Sequence, residues 1–260
     1  MSWNCRGVGK KCFPSLVRDL SFCFKVSILA LLETRVGSPR SDEIIKKLGF
    51  PNFFKQDPVG FFGGLWLLWD GNKVELEILK VHHQFIHTRV KYLDAKKVDL
   101  VTFVYGSPRR LERKLLWAEL EVINNSILEP WLLLGDFNSI LHASEKVGGK
   151  EVCWDSMKEM QLCLSRCDIH DLGYKGPDFT WKHGRLHERM DRACTNEDWN
   201  IAWPDKFTIH LPFFNSDHRP ILICDDGQSR PGDYSRRFKF LAAWLTDQRF
   251  FDLVKKSWGE

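Results

Sequence analysis

Polar side chains placed at the ends of apolar runs are the first sign of chemistry in this sequence. In Trp131-Leu-Leu-Leu-Gly-Asp-Phe-Asn138, four apolar residues lead to Gly135, then to Asp136 and Asn138 two positions apart. An apolar run closed by a glycine predicts a buried strand with the polar residues just past its carboxyl end. In sheets covered on both faces, ligand and catalytic groups gather at such ends. A side-chain period of two points Asp136 and Asn138 the same way and lets Phe137 turn back into the core. An acceptor and an amide aimed at one point suit metal or phosphate chemistry. A strand end with an Asx turn is the plainer alternative.

Five other segments share the pattern. Asn4 follows Met1-Ser-Trp, which reads as the very end of a strand. Glu33 directly follows the apolar run Val26–Leu32, where the alternatives are a partner such as Arg35 or a functional carboxylate. Tyr105 ends the run from Val98, and a boundary tyrosine with its hydroxyl in water is its plainer reading. Asp191 lies in Glu188-Arg-Met-Asp-Arg192, and Ser216-Asp217-His218 opens a final apolar run. His183 and His187 are four apart, but Gly184 argues against a helix, so they read as surface histidines at a turn.

The elements that must position these residues follow from periodicity. Helices are expected from about residue 13 to 24, where Pro14 marks the start, and over 38–48, 110–128 and 153–167. In the third, Leu111, Leu115, Ala118 and Val122 form one apolar row and Leu116, Leu120, Ile123 and Ile127 the adjacent one. In the fourth, Cys153, Met157, Met160, Leu164 and Cys167 share a face. Strands are expected over 26–32, 63–69, 74–81, 83–90, 98–105, 178–182, around 188–192, and over 207–214 and 215–223. Short links between consecutive strands imply antiparallel neighbours.

Composition bounds the class. At 260 residues, with 43% hydrophobic and 28% charged residues, the chain has ample material for a core. Eleven Trp and nineteen Phe predict a core rich in large rings. No apolar run approaches the ~20 residues that span a bilayer. The N-terminus lacks the apolar segment of a signal peptide, which points to an intracellular chain with no membrane partner. The eight cysteines contain no Cys-x-x-Cys pair, which argues for reduced, mostly buried thiols and against zinc. Of the net charge of +4, residues 229–260 hold seven Lys/Arg against four Asp/Glu, leaving 31 against 30 elsewhere. Affinity for nucleic acid must therefore come from a local site rather than from overall charge.

Taken together, the motifs resemble the endonuclease/exonuclease/phosphatase superfamily, which includes DNase I and the apurinic/apyrimidinic endonucleases. Ser-Trp-Asn-Cys-Arg-Gly, Leu-Leu-Glu-Thr-Arg, Leu-Gly-Asp-Phe-Asn, Arg-Met-Asp-Arg and Ser-Asp-His-Arg-Pro look closest to the endonuclease domain of plant LINE-type non-LTR retrotransposons. The resemblance covers residues 2 to about 224, and Arg237–Trp244 resembles the segment leading into reverse transcriptase. It implies a DNase I-like four-layer α/β sandwich: two facing mixed sheets with helices outside, formed by residues 1–226, and a linker and helical tail over 227–260.

It also implies a DNA-nicking phosphodiesterase, acting as a monomer without an obligate protein partner, and nuclear by virtue of its substrate. One Mg²⁺, or Mn²⁺ in its place, would bind Glu33, Asn4 and Asp217. Asp136 would orient or deprotonate the attacking water with Asn138 holding its geometry. His218 would contact the scissile phosphate, Asp191 would orient its imidazole, and Tyr105 would approach the phosphate. A phosphatase on the same scaffold and an inactive, truncated retroelement remnant are the alternatives. Two departures stand out: only three residues precede Asn4, which predicts a poorly held Asn4, and Arg6 stands where some members carry an acid.

Overall fold

The structure, a computed structural model, describes residues 1–58 and 63–225, and the tail expected over 227–260 lies outside the described residues. The chain runs β1 (Ser2–Asn4), α1 (Phe13–Cys23), β2 (Ile28–Leu32), α2 (Arg40–Ile45), β3 (Asn52–Gln56) and β4 (Leu65–Trp69). Then come β5 (Val74–His82), β6 (Phe85–Tyr92), β7 (Lys97–Tyr105), α3 (Arg110–Asn124) and β8 (Trp131–Asp136). The remainder is β9 (Lys146–Val147), α4 (Trp154–Arg166), β10 (His170–Asp171), β11 (Trp181–His183), β12 (Leu186–Glu188), β13 (Asp191–Thr195), α5 (Glu197–Ala202), β14 (Lys206–His210) and β15 (Ile221–Asp225).

Two six-stranded sheets form, in the orders β14-β15-β1-β2-β4-β3 and β10-β13-β8-β7-β6-β5. Both are mixed. β1 runs parallel to β2 and antiparallel to β15, and β8 runs parallel to β7 and antiparallel to β13. The alternation along β2 shows how the layers stack. Ala30 and Leu32 join Val101, Phe103, Leu132 and Leu134 in the apolar layer between the sheets. Leu29 and Leu31 point the other way, onto Phe13, Leu16 and Leu20 of α1. On the far side, Val104 and Leu133 pack against Leu116, Leu120, Met160 and Leu164 of α3 and α4. Helix, sheet, sheet and helix are thus four layers, the DNase I-like α/β sandwich expected from the motifs.

Several expectations are corrected. Asn4 is not loose: β1 is wholly buried, paired with β2 through Ser2–Ala30, Trp3–Leu31 and Asn4–Leu32. Of the two apolar rows on α3, Leu111, Leu115 and Val122 are exposed, while Leu116, Trp117, Leu120 and Ile123 are buried together with Arg113. On α4, Cys153 is exposed and lies before the first turn. β4 and β5 are joined by four residues yet belong to different sheets, so that link crosses the sandwich instead of closing a hairpin. β14 stops at His210, short of the expected Phe214, because Pro212 has no N–H to give a ladder. The strand β3 and the helix α5 are additions that periodicity did not reveal. All eight cysteines are free, with Cys12 and Cys23 half-buried and Cys5, Cys163, Cys167, Cys194 and Cys224 buried. None of the helices among the described residues is long and apolar enough to cross a membrane.

Two features fix the end of the sheet where the polar residues sit. Arg192 of β13 is fully buried, and its guanidinium donates to Glu145 Oε2 at 2.7 Å and Asp171 Oδ2 at 2.7 Å. Those contacts hold the strand whose first residue is Asp191. Gly135 fits between β7 and β13, and a Cβ there would lie 2.0 Å from the Val104 carbonyl oxygen. Gly135→Ala should therefore cost about 2 kcal/mol or more in urea unfolding, the upper range for overpacking. A loss under about 0.5 kcal/mol, the scale of neutral surface changes, would contradict this close approach.

Candidate active site

The register of the strands assembles the site. Tyr105 pairs with Asp136 across β7 and β8, and Asp136 pairs with Asp191 across β8 and β13. One row of the second sheet thus presents Tyr105, Asp136 and Asp191 side by side. In the first sheet, Asn4 ends β1 beside Leu32, and Glu33 follows at once. The sheets face one another, so these two sets of strand ends meet, and Asn4 Nδ2 donates to Asp136 Oδ2 at 2.8 Å.

Asp136 is fully buried and is held from several sides. Asn138 donates its backbone N–H to Oδ1 at 2.8 Å and its side-chain Nδ2 to Oδ2 at 3.2 Å. The same Nδ2 also reaches the Gly106 carbonyl at 2.8 Å. The Asx turn and the functional reading are therefore one structure: the turn aims Asn138 back at the carboxylate. Phe137 is buried in the core, as period two requires. Burial, and then the neighbouring Asp191, raises the Asp136 carboxyl above the usual range.

His218 sits beside this pair. Its Nδ1 is 2.9 Å from Asp191 Oδ2 and 3.7 Å from Asp136 Oδ2. Burial disfavours the charged ring, but the two carboxylates outweigh it and push the imidazole up to about 9. The cationic ring then donates from Nδ1 to Asp191. The loop carrying it is pinned at three points: Ser216 Oγ donates to the Asn4 carbonyl at 2.8 Å, Trp3 Nε1 to the His218 carbonyl at 3.2 Å, and Arg219 N to the Thr180 carbonyl at 2.8 Å.

Glu33 and Asp217 meet around Arg6. Arg6 donates from Nε to Asp217 Oδ1 at 2.9 Å, from Nη2 to Asp217 Oδ2 at 3.1 Å, and from Nη1 to Glu33 Oε1 at 3.1 Å. Arg35 Nη2 donates to the same Glu33 oxygen at 2.7 Å. The partner expected for Glu33 is thus present, alongside a second cation from Arg6. The Arg6 contacts hold the Asp217 carboxyl low against the opposing effect of burial. Tyr105 faces Glu33, and burial followed by the charges of Glu33 and Asp136 drives its hydroxyl well above the ordinary tyrosine range.

All eight residues singled out in the sequence therefore come together. Asn4, Arg6, Tyr105, Asn138, Trp181 and His218 line a cavity of about 290 Å³, with Asp136 and Asp191 buried behind them. Trp181 and Arg6 are the members that the motifs did not assign a role. Trp181 Nε1 donates to Asp217 Oδ2 at 3.0 Å, and Thr180 Oγ1 accepts from the Met190 and Asp191 N–H groups at 3.0 Å each. Alternation in Phe179-Thr-Trp181 is the signal that could have placed Thr180 inward, toward Asp191. His183 and His187 lie on the β11–β12 hairpin, exposed and half-exposed at a turn as their spacing around Gly184 predicted, with His183 stacked on Trp181. Of the seven non-glycine residues with positive φ among those described, Arg6, Glu33, Arg35 and Asn138 are at the site, with φ between 48° and 57°. Such backbone costs of order 1 kcal/mol or more per residue and collects where geometry is functional.

Two groupings are placed to hold a metal ion. The ligand atoms of Asp136, Asp191 and His218 lie within 4.8 Å of one another. They already satisfy each other electrostatically, and an ion there would have to displace the imidazole proton. Glu33 and Asp217 suit a hard cation better. Both offer carboxylate oxygens toward one point, and Glu33 Oε2 is buried without a hydrogen-bond donor.

A sequence profile of the Endonuclease/Exonuclease/phosphatase family matches residues 1–218. The chain belongs to that family. Solved structures of this family's fold agree over most of the chain. An AP endonuclease from Leishmania major has a TM-score of 0.66 at 13% identity, covering 85% of each chain. The endonuclease domain of TRAS1, a telomere-specific non-LTR retrotransposon, gives 0.64 at 13% identity over 85% of this chain and 94% of that one. A 3'-5' exonuclease from Neisseria meningitidis gives 0.63 at 15% identity over 86% and 98%. At these identities the likeness is one of fold, and a search of curated proteins gives no sequence match.

The raised imidazole makes a prediction about this family member in metal-free buffer. Because the folded value lies above the unfolded one of ~6.5, His218 contributes stability in full below pH ~6.5. That contribution is lost as pH rises through the folded value of about 9. The urea midpoint of the wild type should fall between pH 6.5 and 9 relative to that of His218→Gln. Parallel curves for the two proteins would contradict the paired imidazolium.

Proposed function

We propose that this chain is a divalent-metal-dependent phosphodiesterase that nicks DNA, derived from a non-LTR retrotransposon. The observation that carries the reading is the meeting of two sets of strand ends in one cavity. There Asn4, Asn138 and His218 reach inward from Asp136 and Asp191, and Glu33 and Asp217 offer oxygens alongside. The retroelement wording of the motifs and the fold shared with the TRAS1 endonuclease domain support the origin. The 3' phosphatase from Neisseria bound to a product DNA hairpin, at 15% identity and a TM-score of 0.60, shares the fold with nucleic acid in place.

The residues divide the work by position. Glu33, with Asn4 and Asp217, would hold Mg²⁺ or Mn²⁺, which supplies charge stabilisation to phosphoryl oxygens and leaving group. His218 is cationic at neutral pH, with Nδ1 committed to Asp191, so Nε2 is left to donate to a phosphate oxygen in the cavity it lines. Asp191 fixes the ring's orientation and charge. Asp136 lies behind the cavity wall, fully buried, which favours orienting the water through Asn138 and Asn4 over touching it directly. Tyr105 keeps its proton and can donate a hydrogen bond to the phosphate from the cavity wall. DNA is the partner, and the nucleus the compartment that substrate implies.

Supercoiled plasmid incubated with Mg²⁺ should be nicked by the wild type. Glu33→Ala, Asp136→Ala and His218→Ala should each lose roughly 10²-fold or more, the scale of positioned acid–base and electrostatic groups. EDTA should stop the wild-type reaction. Equal nicking in EDTA, or a preference for inositol phosphates over plasmid, would overturn the proposal.

A further inference from the structure

The metal reading above leaves one cation unexplained, and it stands where the ion belongs. Arg6 occupies the point toward which Glu33 and Asp217 both turn. Its Nε and Nη2 form a two-pronged contact with both oxygens of Asp217, at 2.9 and 3.1 Å. Its Nη1 lies 3.1 Å from Glu33 Oε2 as well as from Oε1, but has hydrogen-bond geometry only to Oε1. Glu33 Oε2, on a side chain 3% exposed, accepts no hydrogen bond and has the guanidinium charge against it. A buried carboxylate oxygen without a donor is costly, and it is oriented toward this same point.

We propose that Arg6 is a resident cation that competes with the divalent ion for Glu33 and Asp217, so that the ion binds only when the guanidinium swings out. The inference rests on the metal-dependent reading. The competition follows from donor counting. Asp217 Oδ2 accepts from Arg6 and Trp181, and Asp217 Oδ1 from Arg6. Glu33 Oε1 accepts from Arg6 and Arg35. An ion taking an Asp217 oxygen together with Glu33 Oε2 therefore displaces the guanidinium from Asp217 and stands in its place against Glu33. Arg35 can stay, because it touches Glu33 alone among these acids.

Arg6 is built to leave. Its side chain is 34% exposed and lines the cavity, so it can turn into solvent without being buried again elsewhere. Once released it remains on the cavity wall, a planar fork of donors that suits a phosphodiester oxygen. Metal loading and substrate grip are thereby coupled: the cation that neutralises the acids in the free protein becomes available to the anion when the metal replaces it. The apparent metal affinity is the intrinsic affinity reduced by the fraction of time the guanidinium is away.

Binding of Mn²⁺ to the full chain, followed through the free-ion electron paramagnetic resonance signal, tests this without reference to catalysis. Arg6→Gln should bind Mn²⁺ roughly tenfold more tightly than wild type, a modest effect because partly exposed pairs are screened. Arg6→Lys keeps a charge but loses the fork, and should fall between the two. Adding Glu33→Gln to Arg6→Gln should abolish the gain, which places the ion at Glu33. Equal or weaker binding by Arg6→Gln overturns the competition and leaves the metal reading standing. Absence of Mn²⁺ binding in all the chains overturns both. If Arg6→Gln does not fold, Arg6→Lys decides, since binding no tighter than wild type overturns the proposal.

Discussion

Three carboxylates, Glu33, Asp136 and Asp191, each at most 2% exposed, are buried within one cleft. Removing such groups from water and setting them near each other is unfavourable unless hydrogen bonds and opposite charge compensate. Each receives a different form of relief. Asp136 accepts from two asparagine amides and a backbone N–H, Asp191 is paired with the His218 imidazolium, and Glu33 has Arg6 and Arg35. The compensation is specific to position, which is why Asn4 and Arg6, Asn138, and His218 come from three separate strand ends and loops. The His218 cation is itself a product of the arrangement: two acids hold a proton on a buried ring against the opposing effect of desolvation.

The sandwich exists to keep these acids close. Facing sheets present matched strand ends, and the register Tyr105–Asp136–Asp191 sets the spacing in one of them. Outside the cleft, the buried contacts of Arg192 with Glu145 and Asp171 stiffen β13 next to Asp191. The positive φ values at Arg6, Glu33, Arg35 and Asn138 show local strain concentrated at the same place. Folding energy elsewhere sustains that strain, and the cleft keeps a defined geometry because its residues sit at strand ends or on a loop pinned at three points.

Every site residue named from the sequence lies in the cleft because each is local to a strand end, and strand ends are marked by apolar runs and glycines. The layers were legible for the same reason: β2 and β8 are too apolar to face water on either side. What sequence missed depends on distant partners. Leu111, Leu115 and Val122 form a regular row, yet the helix rests on its Leu116–Leu120–Ile123 side, and packing on the sheet and on α4 decides between the two. The crossing of β4 to β5 between sheets carries no local signature, since four residues can close a hairpin or change layer. The Arg192 network joins residues 21 and 47 positions apart, out of reach of any window. Arg6 was visible as a departure from an expected acid, but its contact with two carboxylates required the fold.

In the proposed reaction this cleft directs water onto a phosphodiester. Cleavage of a DNA duplex in ¹⁸O-labelled water with Mg²⁺, with product phosphates analysed by mass spectrometry, tests it most directly. One ¹⁸O should appear on the newly formed phosphate per cut with the wild type, and labelled product should drop by roughly 10²-fold with Asp136→Asn. Undiminished cutting by Asp136→Asn, or product phosphates without label, would contradict it.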